Sequence, residues 1–203
     1  MGTLPRPSAR AVAAAVGGSL VYSGTLAPSR YWILGRVPFL GLGLSQFELD
    51  FPITQLSAYQ RRLAQRLLPL LDSYNRIRRE HADRLRAGIE GVEGIEVPRP
   101  LEKADPVYLR FPILARDDRQ RSGLLRRFRA TGIVASPSYP TSIGDIPGIG
   151  RYLAPDQEPC PGARSIATRI LTLPTHPGVT LRDIEVMVGI IRGDHERRSE
   201  ALR

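Results

Sequence analysis

Three histidines and one lysine are the side chains of this sequence best suited to proton transfer, covalent catalysis or ligand binding at neutral pH. His81, His176 and His195 stand far apart in the chain. His81 falls on an apolar stripe, where a core or interface role is expected. His195 falls in the polar tail HERRSEALR and is expected to be solvated. His176 sits in LPTHPG, between two prolines and directly after a short apolar run. A histidine held in a rigid turn at a strand end can line a site. Lys103 is the one lysine among 29 basic residues. A Schiff-base lysine must be desolvated in a pocket beside its cofactor. Lys103 lies in PRPLEKADP, a polar connector, and is expected at the surface, which leaves no candidate for that role.

Other chemistry is sparse. Cys160 is the single cysteine and cannot form an internal disulfide. No CxxC or Cys/His cluster encodes a structural zinc site. There is no GxGxxG fingerprint, P-loop or GxSxG elbow. GLGLS at 41–45 resembles a glycine-rich phosphate cradle only superficially and reads as a packed turn.

Composition narrows the class. The 203 residues, 42% apolar and 24% charged, suffice for one domain with a core, or one domain with an appendage. The net charge of +9 raises the question of nucleic acid or an anionic membrane. The arginines that carry it are dispersed, mostly on helix faces near Glu or Asp, and lack the interleaved aromatics of a single-strand binder. A solvated face is expected, with no nucleic-acid partner; a basic nucleic-acid-binding protein is the third and least favoured reading. The lone cysteine fits a reducing, cytoplasmic setting.

These residues must be positioned by elements, and the elements are legible in part. Residues 1–45 read as an apolar N-terminal remnant or linker. Within them, 11–29 carry no charge, and 11–22 read as a helix weakened by Gly17 and Gly18. Arg6 and Arg10 before this stretch mimic a secretory signal. Its Ala, Gly, Ser and Thr content is too polar for a span of about 20 strongly apolar residues. A buried or interface helix is expected, without a membrane span. Residues 31–44 are apolar but broken by Gly and Pro, so Trp32, Phe39, Leu40 and Leu42 are expected to need a packing partner.

Residues 46–97 carry the strongest periodicity. Leu56, Tyr59, Leu63, Leu67, Leu70, Tyr74, Ile77, His81, Leu85 and Ile89 form one stripe at steps of three and four. The spacing predicts one long helix, kinked or divided at Pro69 and ended by Gly91 and Gly94. So long an element is expected to run between domains. Residues 98–192 read as a small α+β domain, and 193–203 as a frayed polar tail. In that domain 107–114 alternates as a strand, with Pro112 marking an edge or bulge. Asp117 or Asp118 caps a helix over about 119–130, and Gly132 closes it. Residues 133–135 read as a second strand and 136–160 as a long Pro/Gly-rich loop. A helix with Pro161 in its first turn, a strand at 171–173 and a helix opened by Thr180 or Leu181 complete the domain.

This order resembles a known family. TRILTLPTHPGVTLRDIEVMVGII, residues 168–191, is similar to the closing signature of the DegT/DnrJ/StrS sugar aminotransferases. GIVASPSYP, residues 132–140, resembles their Gly-Ile strand entering a Tyr-Pro turn. QLSAYQRRLAQRLLPLLDSYNRIRREHADRL resembles their long helix. The resemblance covers roughly 40–192 and implies the α+β small C-terminal domain of a type I fold pyridoxal-phosphate aminotransferase: a long kinked helix leading into a small sheet with flanking helices. It implies amino transfer to a keto group on a nucleotide-linked sugar, with sites at a homodimer interface. Tyr139 and His176 match positions facing the substrate. The family's large domain, which supplies the Schiff-base lysine and phosphate site, is not recognisable here. SQFELDFPI does not carry the Asn-Tyr-Arg-like motif that precedes the family's long helix. No catalytic, cofactor-binding or metal residue carries over. The chain is therefore expected to need a large-domain partner or to act as an interaction module. Alone, it is expected to bind no pyridoxal phosphate and to lack activity.

Overall fold

The computed structural model describes residues 4–25, 53–139, 141–154, 156 and 158–193. They fall into two compact units, parting between Asn75 and Arg76.

The first unit contains α1 (Ala9–Thr25), α2 (Ala58–Leu67), a 3-10 turn at Leu68–Leu70 and the start of α3 (Leu71–Ile89). Helix α2 begins where Ser57 and Gln60 cap each other. The Gln60 amide donates to Ser57 Oγ at 3.2 Å, and the Ser57 amide donates to Gln60 Oε1 at 2.9 Å. This reciprocal pair satisfies two of the amides a helix start leaves open. Pro69 falls in the 3-10 turn, so the long periodic segment is divided there, as the missing N–H requires. Gln55 ties the unit to the N-terminal segment: its amide donates to the Pro5 carbonyl at 2.9 Å and its side chain to the Leu4 carbonyl at 2.7 Å. Many of the apolar residues here are exposed. Leu20, Val21, Leu56, Leu67, Leu68, Leu70, Leu71 and Tyr74 all face solvent.

The second unit holds the rest of α3, β1 (Ile95–Glu96), β2 (Arg110–Ala115), α4 (Asp118–Thr131), α5 (Pro161–Arg169), β3 (Ile170–Pro174) and α6 (Leu181–Arg192). The three strands form an antiparallel sheet in the order β1-β2-β3. Phe111 pairs with Leu173 and Ile113 with Leu171, so alternation puts these four side chains on one face. They cluster with Leu85 and Ile89 of α3, Leu124 and Phe128 of α4, and Ile184, Met187 and Ile190 of α6. Each such side chain contributes about 1.5–3 kcal/mol on burial. The stripe predicted over 56–89 is therefore buried only in its last third, where a sheet exists to cover it.

Caps fix the helix ends. Asp117 accepts from the Gln120 amide at 2.8 Å, and Gly132 closes α4 with φ 78°. Thr180 and Asp183 form a capping box for α6. Helices α3 and α6 meet closely at Gly88, where an added Cβ would stand 2.5 Å from Val188 Cγ2. Arg192 Nε donates across the same contact to the Gly88 carbonyl at 2.6 Å.

Three strand expectations change. Residues 107–109 do not join β2, because Tyr108 turns with φ 57°. Residues 133–135 form no strand; only Ser136 bridges to Thr172. Pro112 lies on the middle strand, yet the expected edge character survives locally. Strand β1 pairs only with Leu114 and Ala115. Thr172 exchanges both of its backbone bonds with Ser136, so the Pro112–Thr172 pair shares none. The proline nitrogen thus points to the side that β1 does not reach. Among the described residues no helix is long and apolar enough to cross a membrane, and no group of His, Cys, Asp or Glu could hold a metal ion.

Candidate functional site

The end of β3 gathers the polar side chains of the second unit. Thr175, just past the strand, is fully buried. Its hydroxyl donates to the Tyr108 carbonyl at 2.6 Å and accepts from Arg78 Nη1 at 3.4 Å. Arg78 Nη1 also donates to the Leu109 carbonyl at 2.9 Å. His81, one turn along α3 from Arg78, places Nδ1 3.0 Å from the Thr175 carbonyl. A carbonyl only accepts, so Nδ1 carries the proton. Two side chains of one helix thereby clamp the strand end and the segment before β2.

His176 follows directly and is half-buried. Its Nδ1 accepts from the Gly178 amide at 3.2 Å. The neutral ring therefore carries its hydrogen on Nε2, as a donor. Burial first, then the charges of Arg78, Arg110 and His81, push its pKa below the ordinary value of 6.5, with Asp183 opposing them. Asp183 is occupied by the Thr180 cap, accepting from its amide at 2.8 Å and its hydroxyl at 2.7 Å.

Arg110 and Thr172 lie on the sheet face opposite the core, because they alternate with Phe111 and with Leu171 and Leu173. Arg110 Nε donates to Thr172 Oγ1 at 2.7 Å, and Nη2 donates to the carbonyls of Val134 and Thr172 at 2.6 and 2.8 Å. Ser138 Oγ lies 3.0 Å from Thr172 Oγ1. Ser138 has φ 62°, a conformation that costs a residue with a Cβ about 1 kcal/mol and concentrates at functional sites.

Tyr139 is 60% exposed, and its amide donates to the Pro137 carbonyl at 2.7 Å. Among the described residues no hydrogen bond or ring contact joins Tyr139 to His176. The antiparallel bridge at Ser136–Thr172 starts the two segments in opposite directions. The loop that follows is pinned by Asp145, which accepts from Ser142 Oγ at 2.6 Å and pairs with both Arg164 Nε, at 2.8 Å, and Arg164 Nη2. Lys103 is exposed, in a turn with φ 66°. Cys160 is exposed. GLGLS at 41–45, the residues Trp32, Phe39, Leu40 and Leu42, and His195 lie outside the described residues.

Sequence reasoning singled out His176 through its flanking prolines. It missed Arg78 and Arg110. For Arg110 a signal existed: a lone charge in VYLRFPIL, on the face opposite Phe111 and Ile113. For Arg78 none did, since it stands among other arginines on a helix.

A family model for the DegT/DnrJ/EryC1/StrS aminotransferase family matches residues 53–192. Solved structures share the fold. DesV from S. venezuelae, in complex with a ketimine intermediate, is 24% identical with a TM-score of 0.62, over 80% of this chain and 44% of that one. A DegT/DnrJ/EryC1/StrS aminotransferase from Brucella abortus is 25% identical with a TM-score of 0.60, over 80% and 42%. Helicobacter pylori PseC, an aminotransferase of pseudoaminic acid biosynthesis, is 17% identical with a TM-score of 0.60, over 76% and 43%. The chain thus spans less than half the length of each. Comparison with curated proteins gives no match.

Proposed function

Since the chain belongs to the DegT/DnrJ/EryC1/StrS aminotransferase family, we propose that it is the small-domain part of a pyridoxal-phosphate aminotransferase acting on nucleotide-linked keto sugars. One observation carries this reading: the match, over residues 53–192, takes in every helix and strand of the second unit, yet the chain spans only 44% of the DesV chain. In this reading Tyr139 and His176 help shape the sugar site, and catalysis needs a large domain that supplies the lysine. The protein works in the cytoplasm, in a homodimer or with that large-domain partner.

The described residues do not fit the cofactor. Its covalent attachment requires a desolvated lysine. Lys103, the one lysine of the chain, is exposed on a turn. No step of amino transfer is therefore assigned to this chain's residues, and the chain alone is inactive in this reading.

The test is spectroscopic. Pyridoxal phosphate added to the purified chain is expected to give no absorbance band of a lysine-bound cofactor. A band that disappears in Lys103→Ala would overturn the reading. Amino transfer from glutamate to a nucleotide-linked keto sugar is expected only when a lysine-bearing large domain of the family is supplied.

A second reading has its own support. The exposed leucines of α2 and the following turn suit an interaction or dimerisation module without catalysis. It is favoured if the chain self-associates through that face and gains no activity from any large domain.

A further inference from the structure

Residues 137–139 form a strained turn. The Tyr139 amide donates to the Pro137 carbonyl at 2.7 Å, and Ser138 between them has φ 62°. A bond that closes around one residue of positive φ makes a γ-turn of the rare, strained kind. Gly132 and Gly148 take positive angles without steric cost, whereas here a serine does so. Such strain persists only where the surroundings over-determine it.

The surroundings are Thr172 and Arg110. Thr172 is buried, and its main chain exchanges two bonds with Ser136, at 3.1 and 2.7 Å. Its hydroxyl accepts from Arg110 Nε at 2.7 Å and from Ser138 Oγ at 3.0 Å, and donates to the Ser136 carbonyl at 3.4 Å. A hydroxyl has one hydrogen and two lone pairs, so that of Thr172 is fully used. Ser136 Oγ in turn accepts from the Ser138 amide at 3.1 Å. Arg110 Nη2 completes the frame on the carbonyls of Val134 and Thr172, at 2.6 and 2.8 Å. The planar fork of arginine suits acceptors on two different segments.

The Tyr139 ring stands apart from this frame. Tyr139 is 60% exposed, and among the described residues its side chain makes no hydrogen bond or ring contact. The backbone is held, and the side chain is left for something else. A ring that must meet a ligand in one direction needs both conditions, because its support is then rigid before binding.

We propose that Arg110 and Thr172 are positioning residues, which hold the Ser138 turn and so fix how Tyr139 presents its ring to the substrate. The role of Tyr139 rests on the sugar-site reading above; the hold on the turn does not. Neither positioning residue touches the substrate in this arrangement. Thr172 acts through its hydroxyl, and Arg110 acts through Thr172 and the Val134 carbonyl.

The experiment is amide hydrogen exchange of the full chain, resolved by NMR. Thr172→Val keeps the shape of the side chain and removes the hydroxyl. It is expected to speed exchange of the Ser138 and Tyr139 amides by roughly tenfold, while the core strand amides of Ile113 and Leu171 stay within about twofold. Thr172→Ser restores the hydroxyl and is expected to restore the slow exchange. Arg110→Gln is the second variant and is expected to loosen the same two amides, with thermal unfolding as the check that each variant folds. Exchange at Ser138 and Tyr139 that is unchanged in both variants overturns the proposal. So does an equal acceleration across the whole second unit, which marks a purely structural bond, or a failure of Thr172→Ser to rescue. Amino transfer with a supplied large domain separates this result from the reading beneath it. There Thr172→Val and Tyr139→Ala are each expected to raise KM more than they lower kcat, and the double variant to be no worse than Tyr139→Ala. Losses that multiply overturn the positioning role. A KM that Tyr139→Ala leaves unmoved, beside a turn that has loosened as expected, overturns the sugar-site reading of Tyr139 instead.

Discussion

His81 holds Thr175 by its main chain: imidazole Nδ1 stands 3.0 Å from the Thr175 carbonyl across 94 residues of sequence. Both residues are buried. The bond ties α3 to the end of β3, and so sets where His176 begins. Its loss leaves a buried carbonyl without its partner. We expect His81→Ala to destabilise the second unit by about 1–3 kcal/mol, and His81→Gln, which keeps a donor, by less. Urea denaturation monitored by circular dichroism measures both. Equal losses would show that packing, not the hydrogen bond, fixes the contact.

Gly88 gives a sharper structural test. An alanine there drives Cβ to 2.5 Å from Val188 Cγ2 and 3.1 Å from Cγ1. Val188 is packed against the core cluster and cannot simply turn away. Gly88→Ala is expected to cost about 1–3 kcal/mol through overpacking. Adding Val188→Ala should recover part of that loss, and a double-mutant cycle reads the coupling.

Acid should loosen the loop after Tyr139. Hydrogen bonds from Arg164 and then Ser142 hold the Asp145 carboxyl below its ordinary value of 3.8, outweighing an opposing desolvation, and the Arg164 charge adds to them. The folded state thus binds the proton less readily than the unfolded one. The stabilisation is fully present above the unfolded pKa and disappears as pH falls through the lower, folded value. Hydrogen exchange over residues 141–153 is expected to accelerate only in strong acid. In Asp145→Asn it should be fast already at neutral pH, with a flatter acid response.

The exposed leucines of the first unit should drive association. Leu67, Leu68 and Leu71 are 50%, 68% and 49% exposed. Leu68→Glu removes apolar surface without opening a core, so stability should change by about 0.5 kcal/mol or less. Multi-angle light scattering is expected to show self-association of the wild-type chain and a shift toward monomer in Leu68→Glu. A wild-type chain that is monodisperse and monomeric would contradict this.

Local signals made much of the fold legible. Pro69, Asp117, Gly132 and Thr180 each act within a turn of their own position, and each marks its boundary in the structure. The strands were less legible. Tyr108 leaves the strand geometry beside Thr175, whose hydroxyl bonds its carbonyl across 67 residues. Residues 133–135 read as a strand, but only Ser136 finds a partner. The site divides in the same way. His176 advertised itself through its prolines. Arg78 acquires its place through the Leu109 carbonyl and the Thr175 hydroxyl, 31 and 97 residues away, and no spacing in the sequence encodes those distances.

Pro112 carries a consequence for how the chain behaves in a crowd. Along the part of β2 that β1 leaves uncovered, outward-pointing amides would offer hydrogen bonds to a strand from another molecule. At Pro112 that donor does not exist. A second chain laid alongside would meet a gap in the ladder where it needs a bond. The same imide nitrogen that the fold tolerates on its middle strand therefore acts as a guard against intermolecular sheet growth, at the place where a two-residue neighbour gives the least protection.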